Sequence, residues 1–237
     1  MNCLLLTQDE FDPETGRARV VGRRRKHADE ILKSSPGDKL RVGLVGGQLG
    51  QAAILHLDAD CLELSVELDR DPPLKLPLTL VLALPRPAVF RRLLSTIASL
   101  GVARLLIVGT ARTEKSFWQS HVIEPDEIHE RLILGLEQSK DSVLPEVSIH
   151  RFFEELARDV LPTHLAESRG LIAHPGAANP CPHAVSEAIT LMVGPEGGFV
   201  DFEVEKLREI GIEPVHLGER ILRVEPVIPL LVGRLFA

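Results

Sequence analysis

Three short stretches of the chain bring together residue types whose spacing suits chemistry. Gly194-Pro195-Glu196-Gly197-Gly198 follows the apolar run Ile189–Val193 directly. Ala173-His174-Pro175-Gly176 closes the run Leu171-Ile172-Ala173. Leu217-Gly218-Glu219-Arg220-Ile221-Leu222-Arg223-Val224-Glu225 follows the run that begins at Pro214. Glycines at 194, 197 and 198 remove side chains where backbone must approach something closely. A helix starting just after them would offer free N–H groups. The pattern suits a nucleoside hydrogen-bonded to main chain. It does not suit a phosphate cradle, because it has no GxGxxG and no Lys behind the glycines. Plainer readings exist for each stretch. His174 can be a cap, the glycine run a tight turn, and Arg220, Arg223 and Glu225 surface ion pairs.

These stretches need elements to position them. From Lys75 onward, continuous apolar runs alternate with helical periodicity. Leu78–Leu84, Arg104–Val108, Val147–Ile149, Leu171–Ala173, Ile189–Val193 and Pro214–Leu217 read as strands. Helices are expected after Pro85-Arg86-Pro87, with Val89, Leu93, Leu94, Ile97 and Leu100 on one face and Gly101 behind it. Others are expected from Pro125, over Phe153–Val160 and over Glu203–Ile210. Wholly apolar strands alternating with helices mean a parallel sheet covered on both faces. Ligands of such sheets bind outside the carboxyl ends of the strands, where all three stretches fall.

The front of the chain has another rhythm. Lys39–Leu44, Ala53–Leu57 and Leu62–Leu68 alternate with period two, which predicts a small barrel. Gly43–Gly50 reads as a hairpin turn and Ala28–Lys33 as a short helix. The proline-rich stretch 71–77 reads as a linker. The expected domains are therefore 1–70, 71–77 and 78–237. Residues 17–26, RARVVGRRRK, hold six cations in ten positions within a chain of net charge −7. They read either as a solvated strand pair or as a phosphate-facing patch made of Arg17, Arg19, Arg23, Arg24, Arg25 and Lys26.

Composition excludes several classes. Hydrophobic residues make up 44% and charged residues 26%, as in a folded globular protein. No apolar run is long enough to span a membrane, and the first ten residues do not read as a signal peptide. Three cysteines without a CxxC pair argue against a disulfide framework or a zinc site, and fit a reducing cytoplasm. No metal is expected. Tyr is absent and aromatics are 4%, so a platform of stacked aromatics for nucleic acid is not expected.

GPEGGF followed by Glu203, together with LGERILRVE, resembles the RsmE family, SPOUT-superfamily methyltransferases that act on a uridine N3 in small-subunit ribosomal RNA with S-adenosylmethionine. Leu136-Glu137-Gln138-Ser139 and Leu144-Pro145-Glu146-Val147 resemble its middle motif, and His174-Pro175 its first cofactor-side loop. The resemblance implies an α/β fold: a SPOUT-type parallel sheet with a C-terminal trefoil knot, preceded by a PUA-like β-barrel that binds RNA. It implies that the cofactor lies against Ala173, His174, Pro175, Gly194, Pro195, Glu196, Gly197, Gly198, Leu217, Gly218, Arg220, Ile221 and Leu222. It also implies a homodimer built on the knot, into which the apolar segment Val227–Phe236 would pack. The chain departs from the family pattern in three places. Pro226-Val227 replaces Thr-Ala after Glu225, and Lys140-Asp141 replaces Gly-Arg. Val200 stands where a small capping residue is usual, so that Asp201 is expected to cap one position later.

A uridine N3 is a poor nucleophile until it loses its proton, so such a site needs a base or cations that stabilise the anion. Glu225 is the candidate base or orienter, with a structural Glu225–Arg223 pair as the alternative. Arg220 and Arg223 are candidates for stabilising negative charge or holding phosphate. Two other functions remain open: a SPOUT 2′-O-methyltransferase, or a non-catalytic RNA-binding or ribosome-assembly factor that kept the fold.

Overall fold

The computed structural model describes residues 2–31 and 33–237. The chain forms two compact units, Met1–Leu74 with Ile133–Leu144, and Lys75–Leu132 with Pro145–Ala237. The expected boundaries assigned residues 133–144 to the second half of the chain; in the structure that segment belongs with the first.

The first unit is built on a six-stranded sheet of β1 (Leu4–Leu6), β2 (Phe11–Asp12), β3 (Arg17–Val20), β4 (Lys39–Leu44), β5 (Leu49–Leu57) and β6 (Leu62–Arg70), in the order β1-β4-β5-β6-β3-β2. β1 pairs with β4 in parallel and the remaining neighbours are antiparallel. Period-two alternation puts Ala18, Val20, Ala52, Ile54, Leu62 and Leu64 into one core. Leu44 and Leu49 are joined by the expected hairpin, closed by Leu44 N–H donating to Gln48 O at 2.9 Å.

The basic stretch is a correction. It is not a strand pair: β3 stops at Val20, and Gly22–Lys26 forms α1, which runs into a π-helical turn at His27–Ile31. Gly22 breaks the strand at φ +67°, and Arg and Lys are good helix formers. The helix expected over Ala28–Lys33 therefore starts earlier, and Leu32 lies outside the described residues. Nor are the three central arginines merely solvated. Arg23 reaches the buried Glu137 carboxylate at 2.9 Å. Arg24 holds Glu10 at 2.5 Å and the Leu5 carbonyl. Arg25 is buried, donating to Asp29 at 2.7 Å and to the Asp58 carbonyl at 2.6 Å. Arg17, Arg19 and Lys26 are exposed.

The second unit is a seven-stranded sheet in which every pairing is parallel. Its strands are β7 (Leu76–Ala83), β8 (Val102–Val108), β9 (Glu146–His150), β10 (Arg169–Ala173), β11 (Asn179–Pro180), β12 (Ile189–Val193) and β13 (Glu213–His216), ordered β11-β13-β10-β12-β7-β8-β9. The helices are α2 (Pro87–Ser99), α3 (Pro125–Ser139), α4 (Phe153–Glu155), α5 (Leu161–Leu165), α6 (Asp201–Glu209) and α7 (Val224–Phe236). α3 carries the chain back into the first unit from Ile133. β7 and β12 are buried almost throughout, as continuous apolar strands must be. α7 begins at Val224 with Arg223 at its N-cap, so Pro226 is its third residue. A first-turn proline deletes no intrahelical hydrogen bond, so the fold tolerates it there. Among the described residues no helix is long and apolar enough to cross a membrane.

Replacing Arg23, Arg24 and Arg25 together by Ala is expected to destabilise the protein by about 2–4 kcal/mol. Each change strips a donor from an acceptor inside the unit, discounted because Arg23 is partly solvated. Urea unfolding measures this, and an unchanged midpoint would restore the solvated-face reading.

Candidate functional site

β10 lies between β12 and β13 and pairs in parallel with both, Ala173 standing opposite Val193 on one side and Val215 on the other. Parallel pairing puts the three carboxyl ends on one edge, so the loops after them meet. Between them is a cavity of about 380 Å³. Ala173, His174, Pro175, Gly194, Pro195, Glu196, Gly197, Gly198, Leu217, Gly218, Arg220, Ile221 and Leu222 all border it. Val193, Phe199, Val215, Val224, Val227 and Leu231 supply further apolar wall. Such a volume with apolar walls and a few polar groups is typical of small-molecule sites.

The glycine loop is shaped by close approach. A Cβ at Gly194 would lie 3.1 Å from the Gly198 Cα, and Gly198 itself sits at φ +71°. Two contacts fix the loop to neighbouring strand ends, and a third fixes the start of α6 behind it. The Glu196 carboxylate accepts the Arg86 N–H at 3.1 Å, at the start of α2. The Gly197 carbonyl accepts from the Arg112 guanidinium. Buried Glu203 accepts Ala111 N–H at 2.8 Å with one oxygen and Val200 N–H at 3.0 Å with the other. Val200 thus occupies the N-cap of α6 with no side-chain acceptor of its own, and Glu203 serves in its place. Asp201 is the first helical residue and does not cap, contrary to the expectation.

Arg112 and the turn around it lie outside every motif read from the sequence. Gly-Thr-Ala-Arg-Thr resembles any surface turn, and only the strand order reveals that β8 ends beside the site. Among the described residues neither Arg112 nor Arg220 has a carboxylate partner, and both are exposed at the cavity.

Glu225 and Arg223 do not border the cavity. Glu225 pairs with Arg92 of α2 at 2.8 Å, and not with Arg223 in a hydrogen-bonded pair. The Arg92 guanidinium holds its carboxyl below the usual carboxylate range. That makes Glu225 a weak proton acceptor and suits a charge that fixes Arg92 and the first turn of α7. Lys140-Asp141 proves to be a turn at the end of α3, where Lys140 has φ +59° and the buried Asp141 carboxylate accepts Ser142 N–H at 2.7 Å and Val143 N–H at 3.0 Å.

The parallel sheet and its strand-end cavity define an α/β protein built to hold a small molecule. Residues 72–234 match the model of the RNA methyltransferase domain, and the chain belongs to that family. It is 27% identical over 234 residues to the ribosomal RNA small subunit methyltransferase E of Treponema pallidum, covering 95% of this chain and 86% of that one. It is 26% identical to ribosomal RNA small subunit methyltransferase E 1 of Borreliella burgdorferi, with 95% and 93% covered. The fold matches the crystal structure of ribosomal RNA small subunit methyltransferase E from Neisseria gonorrhoeae bound to S-adenosyl methionine, with a TM-score of 0.76, 23% identity, and 98% of this chain and 95% of that chain covered.

Glu203→Ala leaves two N–H groups without their acceptor and is expected to cost about 2–4 kcal/mol. Glu203→Gln keeps one amide oxygen as acceptor and should recover part of that loss. Denaturant unfolding of the two variants checks the order; equal stability of all three proteins would mean that the bridge is idle.

Proposed function

We propose that this protein uses S-adenosylmethionine to methylate N3 of a uridine in the ribosomal RNA of the small subunit. One observation carries the reading: three strand-end loops, including a glycine loop tied at two points, border a single cavity in a chain of the RNA methyltransferase family. The Treponema and Borreliella relatives are methyltransferases of small-subunit ribosomal RNA, which supports the choice of RNA. The Neisseria protein of the same fold is bound to S-adenosyl methionine, which supports the choice of cofactor.

The residues present fit that cofactor. The loop brings its backbone to the cavity because Gly194 packs against Gly198 and Phe199 and Gly197 against Arg112, and the apolar wall of Leu217, Ile221, Leu222 and Val227 suits an adenosine. Ala173–Pro175, Gly194–Gly198 and Leu217–Leu222 would hold it. When bound, it supplies the methyl group and the sulfur leaving group of an in-line displacement.

The protein's task is then to present a deprotonated N3. Glu196 is engaged by the Arg86 N–H, and Glu225 is paired to Arg92 away from the cavity. Arg220, exposed on the rim, is placed to stabilise the uridine anion left when N3 gives its proton to water. This arrangement favours cationic stabilisation over a carboxylate base. Glu225, through Arg92, acts as a positioning residue in the first turn of α7, whose N-cap is Arg223.

RNA phosphates would meet the open cations Arg17, Arg19 and Lys26 on a PUA-like first unit. The SPOUT-type second unit would carry the trefoil knot. Ala184 and Val185 N–H donate to Arg234 and Leu235 carbonyls at 3.0 and 2.8 Å, so the segment before β12 runs along the end of α7, as threading through that loop requires. Leu230 on α7 is half exposed and Ile221 is 81% exposed, which fits a homodimer across the site. A ribosomal RNA substrate would put the work in the cytoplasm.

Three measurements test this. Deleting the gene should remove one 3-methyluridine from the small-subunit RNA, read by mass spectrometry, and the wild-type gene but not Gly197→Val should restore it. The purified Gly197→Val protein should fold and fail to bind S-adenosylmethionine in calorimetry; unchanged affinity would sink the loop assignment. Sedimentation at micromolar concentration should show a dimer, and a clean monomer would remove the proposed interface.

A further inference from the structure

Arg112 stands in the turn after β8, and its base is fixed. Ala111 N–H is held by Glu203 at 2.8 Å, and Thr110 N–H donates to the Thr113 hydroxyl at 3.2 Å. Its guanidinium reaches the glycine loop and donates through Nη1 to the Gly197 carbonyl. The Arg112 Cδ lies 3.0 Å from where a Cβ of Gly197 would sit, so the methylenes lie flat against that glycine. A guanidinium has five N–H donors in a planar fork. One is spent on Gly197, and the side chain is exposed at the cavity with no carboxylate partner among the described residues.

The charges at the cavity sharpen the question. Its bordering ionic side chains are Arg112, Arg220 and Glu196, with the imidazoles of His174 and His216. Glu196 is already engaged by the Arg86 N–H at 3.1 Å. S-adenosylmethionine carries a sulfonium and an ammonium, and a cavity with two open arginines would repel them. Its single anionic group is the carboxylate of the methionyl end. That group is planar and matches a guanidinium fork in two parallel hydrogen bonds. Arg220 lies on the loop that follows β13, whereas Arg112 is fastened to the glycine loop.

We propose that Arg112 binds the methionyl carboxylate of the cofactor, an inference that rests on the cofactor reading above. Arg112 thereby does two things with one side chain. It clasps Gly197, and it offsets the positive charge that the cofactor brings in.

Calorimetry on the full chain with two probes tests this. S-adenosylhomocysteine has the carboxylate, and 5′-methylthioadenosine has the same nucleoside without the amino-acid end. Arg112→Met should weaken S-adenosylhomocysteine about ten- to a hundredfold, the range for a hydrogen bond to a charged group. Methylthioadenosine affinity should fall far less, because that complex loses only the clasp on Gly197. Arg112→Lys, a second variant that keeps the charge without the fork, should lose less than Arg112→Met on the first probe and little on the second. Equal losses on both probes would show that Arg112 only shapes the glycine loop, and no loss on either would show that the carboxylate binds elsewhere; both results overturn the assignment. Wild-type protein binding neither probe would overturn the cofactor reading itself, and this one with it.

Discussion

Everything at the site depends on one pairing: β10 held in parallel between β12 and β13. The order of these strands along the chain is β10, β12, β13, yet the first sits between the other two. That placement brings three loops, separated by some tens of residues in sequence, to a common edge. The apolar content of the strands makes it stable. β12 is buried on both faces along its whole length, and such a strand is satisfied only with a neighbour on each side and a helix layer over each face. The loops are then left at the edge, with backbone groups to satisfy and no side chains from the glycines to fill the gap. A cavity follows from the pairing and the glycines together.

A glycine loop left alone would sample many conformations, and ordering it on ligand binding would oppose affinity. Here the ordering is done in the folded state. Glu196 fastens the loop to the start of α2, Arg112 to the turn after β8, and Glu203 joins that turn to the start of α6. Glu203 is the most consequential of the three, because its carboxylate is buried and both oxygens are used. Buried acceptors with two donors hold geometry well and are expensive to leave half-made.

Much of this is legible in the sequence. The strand and helix positions of the second unit follow from continuous apolar runs and 3.6-residue periodicity, and the residues facing the cavity follow from strand ends and a family resemblance. What does not show has physical reasons. Strand order is a tertiary property, so nothing local marks the turn holding Arg112 as part of the site. The RARVVGRRRK stretch looks solvated because its partners Glu10, Asp29 and Glu137 are spread over more than a hundred residues. A string of like charges reads as a surface only while its counter-ions are out of sight. Glu137 stands out as part of a middle motif, but its role as the buried partner of Arg23 depends on residues 133–144 folding with the first unit. Sequence proximity sets Glu225 against Arg223, whereas helix packing gives it Arg92.

The distribution of arginines resolves what net charge alone obscures. A chain of net charge −7 that acts on RNA must set some cations free of their carboxylates. In the first unit Arg23, Arg24 and Arg25 are consumed by the fold, while Arg17, Arg19 and Lys26 stay exposed. In the second, Arg92 and Arg169 are paired, while Arg112 and Arg220 face a cavity whose one bordering carboxylate is occupied by a backbone N–H. Leaving a cation unpaired beside an apolar wall gains the fold nothing. It is useful where an anion arrives with the ligand or forms during the reaction, and the proposed function supplies two, a cofactor carboxylate and a developing uridine anion. On the proposed reading, Arg112, clasped to the glycine loop, and Arg220, on the loop after β13, divide those two tasks between them.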